Sequence, residues 1–210
     1  MNSNIQASTG SVLSMSILLK RGCFLLLALF FISCQPKPPT SELYVIAQVP
    51  DWQLKNQDAK SFGSADLAGK VYIANFIFSR CPSVCPKMLL DTAKIQERLK
   101  EDKGIALVTF TVEPQFDTPE VLTKLAAKYG ADTQVWSFIT HEDKEALFKL
   151  YRDGYKVNVS DAQPAQDLYD IAHSEKMVLV DKKGQIRGYY GYEPEKVEQL
   201  IIDARHLVED

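Results

Sequence analysis

The chain has 210 residues, 46% of them hydrophobic and 24% charged, which is enough for one well-buried domain and too little for two comfortable ones. Its formal charge is −3, and residues 1–33 carry only Lys20 and Arg21, so the remainder sets 22 basic against 27 acidic side chains, a net −5. That balance offers no basic surface for nucleic acid and argues against a partner of that class.

At the N-terminus, Lys20-Arg21 precede an apolar run from Cys23 to Ile32 that ends at Ser33-Cys34. A charged start, a short apolar stretch and a small residue before the cut predict a signal peptide over residues 1–33. As a helix, about ten apolar residues span about 15 Å, roughly half of a bilayer's hydrocarbon core. An uncleaved anchor helix from Ile17 to Ser33, interrupted by the two charges, is the alternative. Met1 to Ser14 is polar and Ser-rich, and Met15 opens an ordinary signal by itself, which makes Met15 a candidate start. Cys34 resembles the lipobox cysteine of bacterial lipoproteins, which would be acylated, although Phe31 stands three residues before it where leucine is usual. Residues 34–42 are proline-rich and read as a spacer, so residues 43–210 are expected as one extracytoplasmic domain, membrane-anchored on the bacterial periplasmic side.

Within that domain, Trp52-Gln53-Leu54 and Ser61-Phe62 read as a small hairpin. The β-branched and aromatic run Val71 to Phe78 predicts a buried central strand, Val84 to Lys100 a helix, and Ile105 to Val112 a second buried strand. Such a strand, helix, strand unit calls for parallel pairing. Asp117-Thr118-Pro119-Glu120 is a helix start leading into Val121 to Tyr129, with Asp117 as the expected cap. Trp136 to Thr140 follows as a short strand and Lys144 to Tyr151 as a helix. Met177 to Val180 and Gln185 to Tyr190 form a hairpin around Gly184, and Glu195 to Val208 closes the chain as an amphipathic helix. The expected fold is α/β and thioredoxin-like: a mixed central sheet flanked by helices, with an N-terminal β-hairpin.

Of the four cysteines, Cys23 lies in the signal and Cys34 at the lipid site, which leaves Cys81 and Cys85 to the domain. They fall at the C-terminal end of the first long strand, where open α/β sheets place their ligand crevices. A helix starting near Pro82 would put Cys81 at its cap and Cys85 one turn in, close enough for a disulfide or a shared metal. The helix N-terminus and Arg80 would favour thiolate. Soft thiolates suit Cu(I), and two thiolates with one imidazole make a copper site.

The segments Phe76-x-Phe78-Ser79-x-Cys81-Pro82-x-x-Cys85-Pro86, Val112-Glu113-Pro114-x-x-Asp117-Thr118-Pro119, and His173-Ser174 before Val178-Leu179-Val180-Asp181-x-x-Gly184 together resemble the Sco/SenC family of copper-binding assembly factors for cytochrome c oxidase. The resemblance implies a thioredoxin-like domain in which Cys81, Cys85 and His173 bind one copper ion, Cu(I) or Cu(II). It implies delivery of copper to, or reduction of, the dinuclear copper site of the oxidase, so the partner would be that copper-site subunit or another extracytoplasmic cuproprotein. Two departures are visible: Phe116 replaces a usual arginine, and Ala172 replaces the acid usual before the histidine. Glu113 and Asp117 could line the crevice, whereas Met88 reads as core, His141 as a surface residue at a helix start, His206 as structural or solvent-facing and the Tyr189 to Tyr192 cluster as strand and packing.

A copper chaperone is thus expected rather than an enzyme. The other reading is a thiol-disulfide oxidoreductase, in which Cys81 and Cys85 form a redox pair that closes to a Cys81–Cys85 disulfide and His173 is not needed.

Overall fold

The computed structural model describes residues 43–160 and 173–209, together with the backbone of 163–165 and 168–170. The expected signal peptide, the spacer with Cys34, and Ala172 lie outside the described residues. No helix among the described residues is long and apolar enough to cross a membrane.

The domain is built on one eight-stranded sheet. In chain order its strands are β1 (Ala47–Gln48), β2 (Gln53–Asn56), β3 (Ser61–Gly63), β4 (Val71–Ile77), β5 (Ile105–Thr111), β6 (Trp136–Thr140), β9 (Met177–Val180) and β10 (Gln185–Tyr190), while β7 (Gln163–Ala165) and β8 (Leu168–Asp170) pair apart as a two-stranded sheet. The helices are α1 (Cys85–Leu99), α2 (Pro119–Lys128), α3 (Lys144–Lys149), which runs on into a π-helical turn over Leu150–Gly154, and α4 (Pro194–Glu209). Across the main sheet the order is β1-β10-β9-β4-β5-β6-β2-β3.

Every residue of β4 and β5 is buried, which is why both read as unbroken apolar runs rather than as alternations. They pair in parallel from Val71 opposite Ile105 to Ile77 opposite Thr111, and β6 continues the parallel set. The expected N-terminal hairpin, β2 with β3, adds antiparallel to β6 at one edge. On the other side β9 pairs antiparallel to β4, with Ala74 opposite Val178. That direction matters for the site. Because β9 runs against β4, the loop preceding β9 arrives at the end of the sheet where β4 terminates.

The core between sheet and helices is aromatic. Phe76 meets Tyr151 edge-on at 4.9 Å and stacks with Phe110 at 5.6 Å. Fully buried rings of this kind each contribute roughly 1.5–3 kcal/mol of burial. Several polar groups at this depth are paired: Trp136 Nε1 donates to Thr109 Oγ1 at 2.8 Å, Asn75 Nδ2 to Thr92 Oγ1 at 2.9 Å, and Tyr151 to the Thr111 carbonyl at 2.7 Å. At the far end of the sheet, Gly184 takes a φ of +75° to close the β9–β10 turn, the conformation glycine adopts without a Cβ penalty.

Helix α1 starts within one residue of the expected Val84, and the cap of α2 differs from expectation. Helix α1 begins at Cys85 and not near Pro82, with Pro86 in its first turn where no backbone N–H is needed. Helix α2 is capped by Thr118, whose hydroxyl accepts from Val121 N. Asp117 is not the cap. It is drawn inward to a different set of donors.

Candidate metal centre

Strand β4 runs out at Ile77, and the chain turns through Ser79 and Arg80 before α1 begins. The turn is closed by Cys81 N–H donating to the Phe78 carbonyl at 3.2 Å. Cys81 therefore sits in the turn and Cys85 on the first residue of α1, so the pair is not the helical i, i+4 pair that a start at Pro82 would produce. Both sulfurs still face one place, and Cys81 and Cys85 are only 6% and 1% exposed.

The third donor comes from the opposite direction. His173 lies four residues before β9, bridged antiparallel to Val159, and its Nε2 is 3.3 Å from Cys85 Sγ. Its Nδ1 is 3.2 Å from the Ser174 carbonyl, which can only accept, so that contact places the proton on Nδ1 and turns the Nε2 lone pair toward the sulfurs. The Phe78 ring stands edge-on to the imidazole at 5.8 Å, so the strand that leads to the cysteines also buttresses the histidine. Beside it opens a cavity of about 750 Å³ lined by Lys156, Asn158, His173, Ser174 and Tyr189.

One donor atom from each of Cys81, Cys85 and His173 falls within 4.8 Å of the others. Metal bonds to thiolate and imidazole of roughly 2.0–2.3 Å put the donors of a three-coordinate site about 3.5–4 Å apart. The three residues need only a small contraction to close on one ion, and two sulfurs with one nitrogen are a soft set.

The two thiols are not equivalent. Burial opposes ionisation of Cys81, but the backbone N–H groups of Cys85 and Ser83, the Ser83 hydroxyl and the Cys85 thiol all reach its sulfur and hold its pKa below the ordinary thiol value. Burial pushes the Cys85 thiol far up, against a backbone hydrogen bond from Phe78, and the Cys81 sulfur and the charge of Asp117 push it further the same way. Arg80, expected to favour thiolate, is engaged elsewhere: its guanidinium forms an ion pair with the buried Glu113, including an Nε to Oε2 contact at 3.1 Å, and lies 4.1 Å over the Phe116 ring. Glu113 thus faces Arg80, and the ring at the departing position 116 carries that guanidinium instead of an arginine of its own. The thiolate preference at Cys81 comes from the helix start and Ser83. Both cysteines are free thiols here, so the structure is that of the reduced pair and the expected disulfide is not formed in it.

The remaining candidates fall where the sequence placed them. Met88 is core at 3% exposure. His141 accepts from Asp143 N at 2.8 Å beside the start of α3, His206 is half-buried on α4, and Tyr190 packs against that helix with its hydroxyl on Asp203 at 2.6 Å. The residues that the sequence did not single out are Ser79, Ser83 and Thr111, together with the inward turn of Asp117. Small hydroxyls and a carboxylate in loops carry no periodic signal, and only the meeting of two strand ends reveals them.

A mixed sheet flanked by helices, with a dithiol at the end of its central strand and an imidazole delivered to the same point, defines a thioredoxin-like protein with a soft three-donor centre. The SCO1/SenC family model matches residues 42–209, and the chain belongs to that family. A SCO1/SenC family lipoprotein from Bacillus anthracis is 31% identical, with a TM-score of 0.73 over 80% of this chain and 99% of that one. BsSco, described with a disulfide switch and as a member of the Sco family of cytochrome c oxidase assembly proteins, is 25% identical, with a TM-score of 0.68 over 81% and 98%. ScoI from Bradyrhizobium japonicum, solved with copper bound, shares the fold at 20% identity, with a TM-score of 0.66 over 77% and 99%.

Proposed function

We propose that this protein is a membrane-tethered copper chaperone that holds one copper ion through Cys81, Cys85 and His173 and passes it to an extracytoplasmic cuproprotein. The observation that carries the reading is the convergence of three soft donors within 4.8 Å at the end of β4. Loading deprotonates the two thiols. Cys81 gives up its proton readily, whereas Cys85 gives up its own only as the cation replaces it, which couples ion capture to proton release. His173 contributes a lone pair already turned inward. The client that family membership favours is the subunit carrying the dinuclear copper site of cytochrome c oxidase, in keeping with the description of BsSco. Cys34 is the proposed lipid anchor and residues 34–42 the tether, a reading supported by the description of the Bacillus anthracis family member as a lipoprotein.

The test is copper titration of the reduced full-length protein in detergent beside His173→Ala. Stoichiometric binding with thiolate-to-Cu(II) absorption, strongly weakened by the substitution, is the expected result. Equal binding by both proteins, alongside efficient reduction of a model disulfide, would replace the chaperone with a reductase.

The split between the thiols favours that second reading on its own terms. A low-pKa Cys81 would attack a partner disulfide, and Cys85 would then displace the partner's sulfur, leaving a Cys81–Cys85 disulfide and a reduced partner. Both activities use the same pair, and only the first requires His173.

A further inference from the structure

Asp117 is fully buried, and copper binding as described leaves it without a task. Its carboxylate accepts from Ser79 N–H at 3.1 Å, and from the hydroxyls of Ser79 and Thr111. The Thr111 oxygen itself accepts from Glu113 N–H at 2.9 Å, which leaves its proton to be donated to Asp117. All three donors are neutral, and their protons converge on an acceptor. Asp117 thereby ties the end of β4 to the end of β5 two residues before Cys81, on the same short segment whose Phe78 contacts both the Cys81 backbone and the His173 ring.

We propose that Asp117 is a positioning residue for the metal centre: through Ser79 it seats the turn that presents Cys81, and its buried negative charge biases the centre toward Cu(II) over Cu(I). The inference rests on the copper reading above. With the same three ligands the centre is one unit more negative when it holds Cu(I), and a fixed negative charge in a low-dielectric interior penalises the more negative state. The carboxylate is close enough for this to matter, since its hydrogen bonds end on Ser79, two residues before Cys81.

Asp117→Asn separates charge from seat. With its oxygen toward Ser79 N and Thr111, the amide can donate to the Ser79 hydroxyl, so the network survives without the charge. Reduced, full-length wild type, Asp117→Asn and Ser79→Ala are each loaded with copper, and Cu(I) and Cu(II) affinities are measured by chelator competition alongside the thiolate-to-Cu(II) band. The asparagine variant is expected to keep the band and to shift the affinity ratio toward Cu(I) by about tenfold, one log unit of differential interaction. Ser79→Ala is expected to keep the ratio within about twofold and to change the band, because the turn loses its anchor while the charge stays. A folded Asp117→Asn with an unchanged ratio overturns the charge role, and an unchanged band in Ser79→Ala overturns the seat. Should the asparagine variant not fold, the serine variant alone decides the seat. Wild-type protein that binds no copper sinks the copper reading instead. Amide hydrogen exchange at Cys81 in the metal-free proteins then decides the seat, with faster exchange in Ser79→Ala than in wild type supporting it and an equal rate counting against it.

Discussion

The two segments that build the centre are buried to different degrees. The cysteine segment, from Ser79 to Pro86, is locked by the Phe78 carbonyl, by the Asp117 carboxylate and by the start of α1, and both its sulfurs are buried. The His173 segment is half-buried: its backbone bridges to Val159, its Nδ1 meets the neighbouring Ser174 carbonyl, and its ring meets the edge of Phe78 and the Cys85 sulfur. The sulfurs form a fixed seat and the imidazole closes on it from beside an open cavity. In a chaperone that arrangement assigns retention to the sulfurs and release to the histidine, because a half-buried ligand on a loop beside an open cavity can be withdrawn without disturbing the strand ends.

The largest effect that tests this contrast is expected from Cys85→Ser. A structural metal held by four ligands is stabilised by roughly 10–16 kcal/mol, about 2.5–4 kcal/mol per ligand, so loss of a thiolate should weaken copper binding on the order of a hundredfold or more. Chelator competition measures it, and a loss under tenfold would remove Cys85 from the ligand set. His173→Ala should cost less, about tenfold to a hundredfold, and should accelerate transfer of copper to a competing chelator in stopped flow. Equal or greater retention by the alanine variant would reverse the division of labour between the two segments.

A smaller effect concerns pH in the metal-free, reduced protein. The fold keeps a proton on Cys85 that the unfolded chain releases near its ordinary value, about 8.5, so this group's contribution is fully present below that pH and is lost as pH rises above it. Buried Tyr151 and Tyr155, also held well above their ordinary values, act in the same direction from about pH 10. The melting temperature should therefore fall steadily above about pH 8.5, and less steeply in Cys85→Ala; identical slopes in the two proteins would contradict the assignment. The smallest effect is expected at Phe116, 41% exposed under Arg80. Restoring arginine there removes a cation–π contact worth about 0.5–1 kcal/mol at an exposed site, and should change copper affinity by less than about threefold.

How much of this was legible in the sequence depended on whether the signal was local. The strands β4, β5, β6, β9 and β10 and the helices α1, α2 and α4 all stood out, because buried runs, amphipathic spacing and a glycine turn are written in consecutive residues. Cys81 and Cys85 were legible as a pair for the same reason. The edge strand β1, the small β7–β8 pair and the π-helical turn after α3 were not read, since two- or three-residue elements hold no periodicity and depend on the neighbour they pair with.

What the sequence determined by itself is the chemistry: two thiols in an α/β domain and one histidine in a matching context. Only the tertiary structure decided their geometry. Antiparallel pairing of β9 with β4 carries His173 to the end of the sheet where the cysteines lie, and that is a property of strand direction across 88 residues of separation. Likewise, local pattern marked Asp117 as a helix cap, yet the fold turned it inward, because the converging ends of β4 and β5 bring three donors to one buried point and a carboxylate satisfies them all.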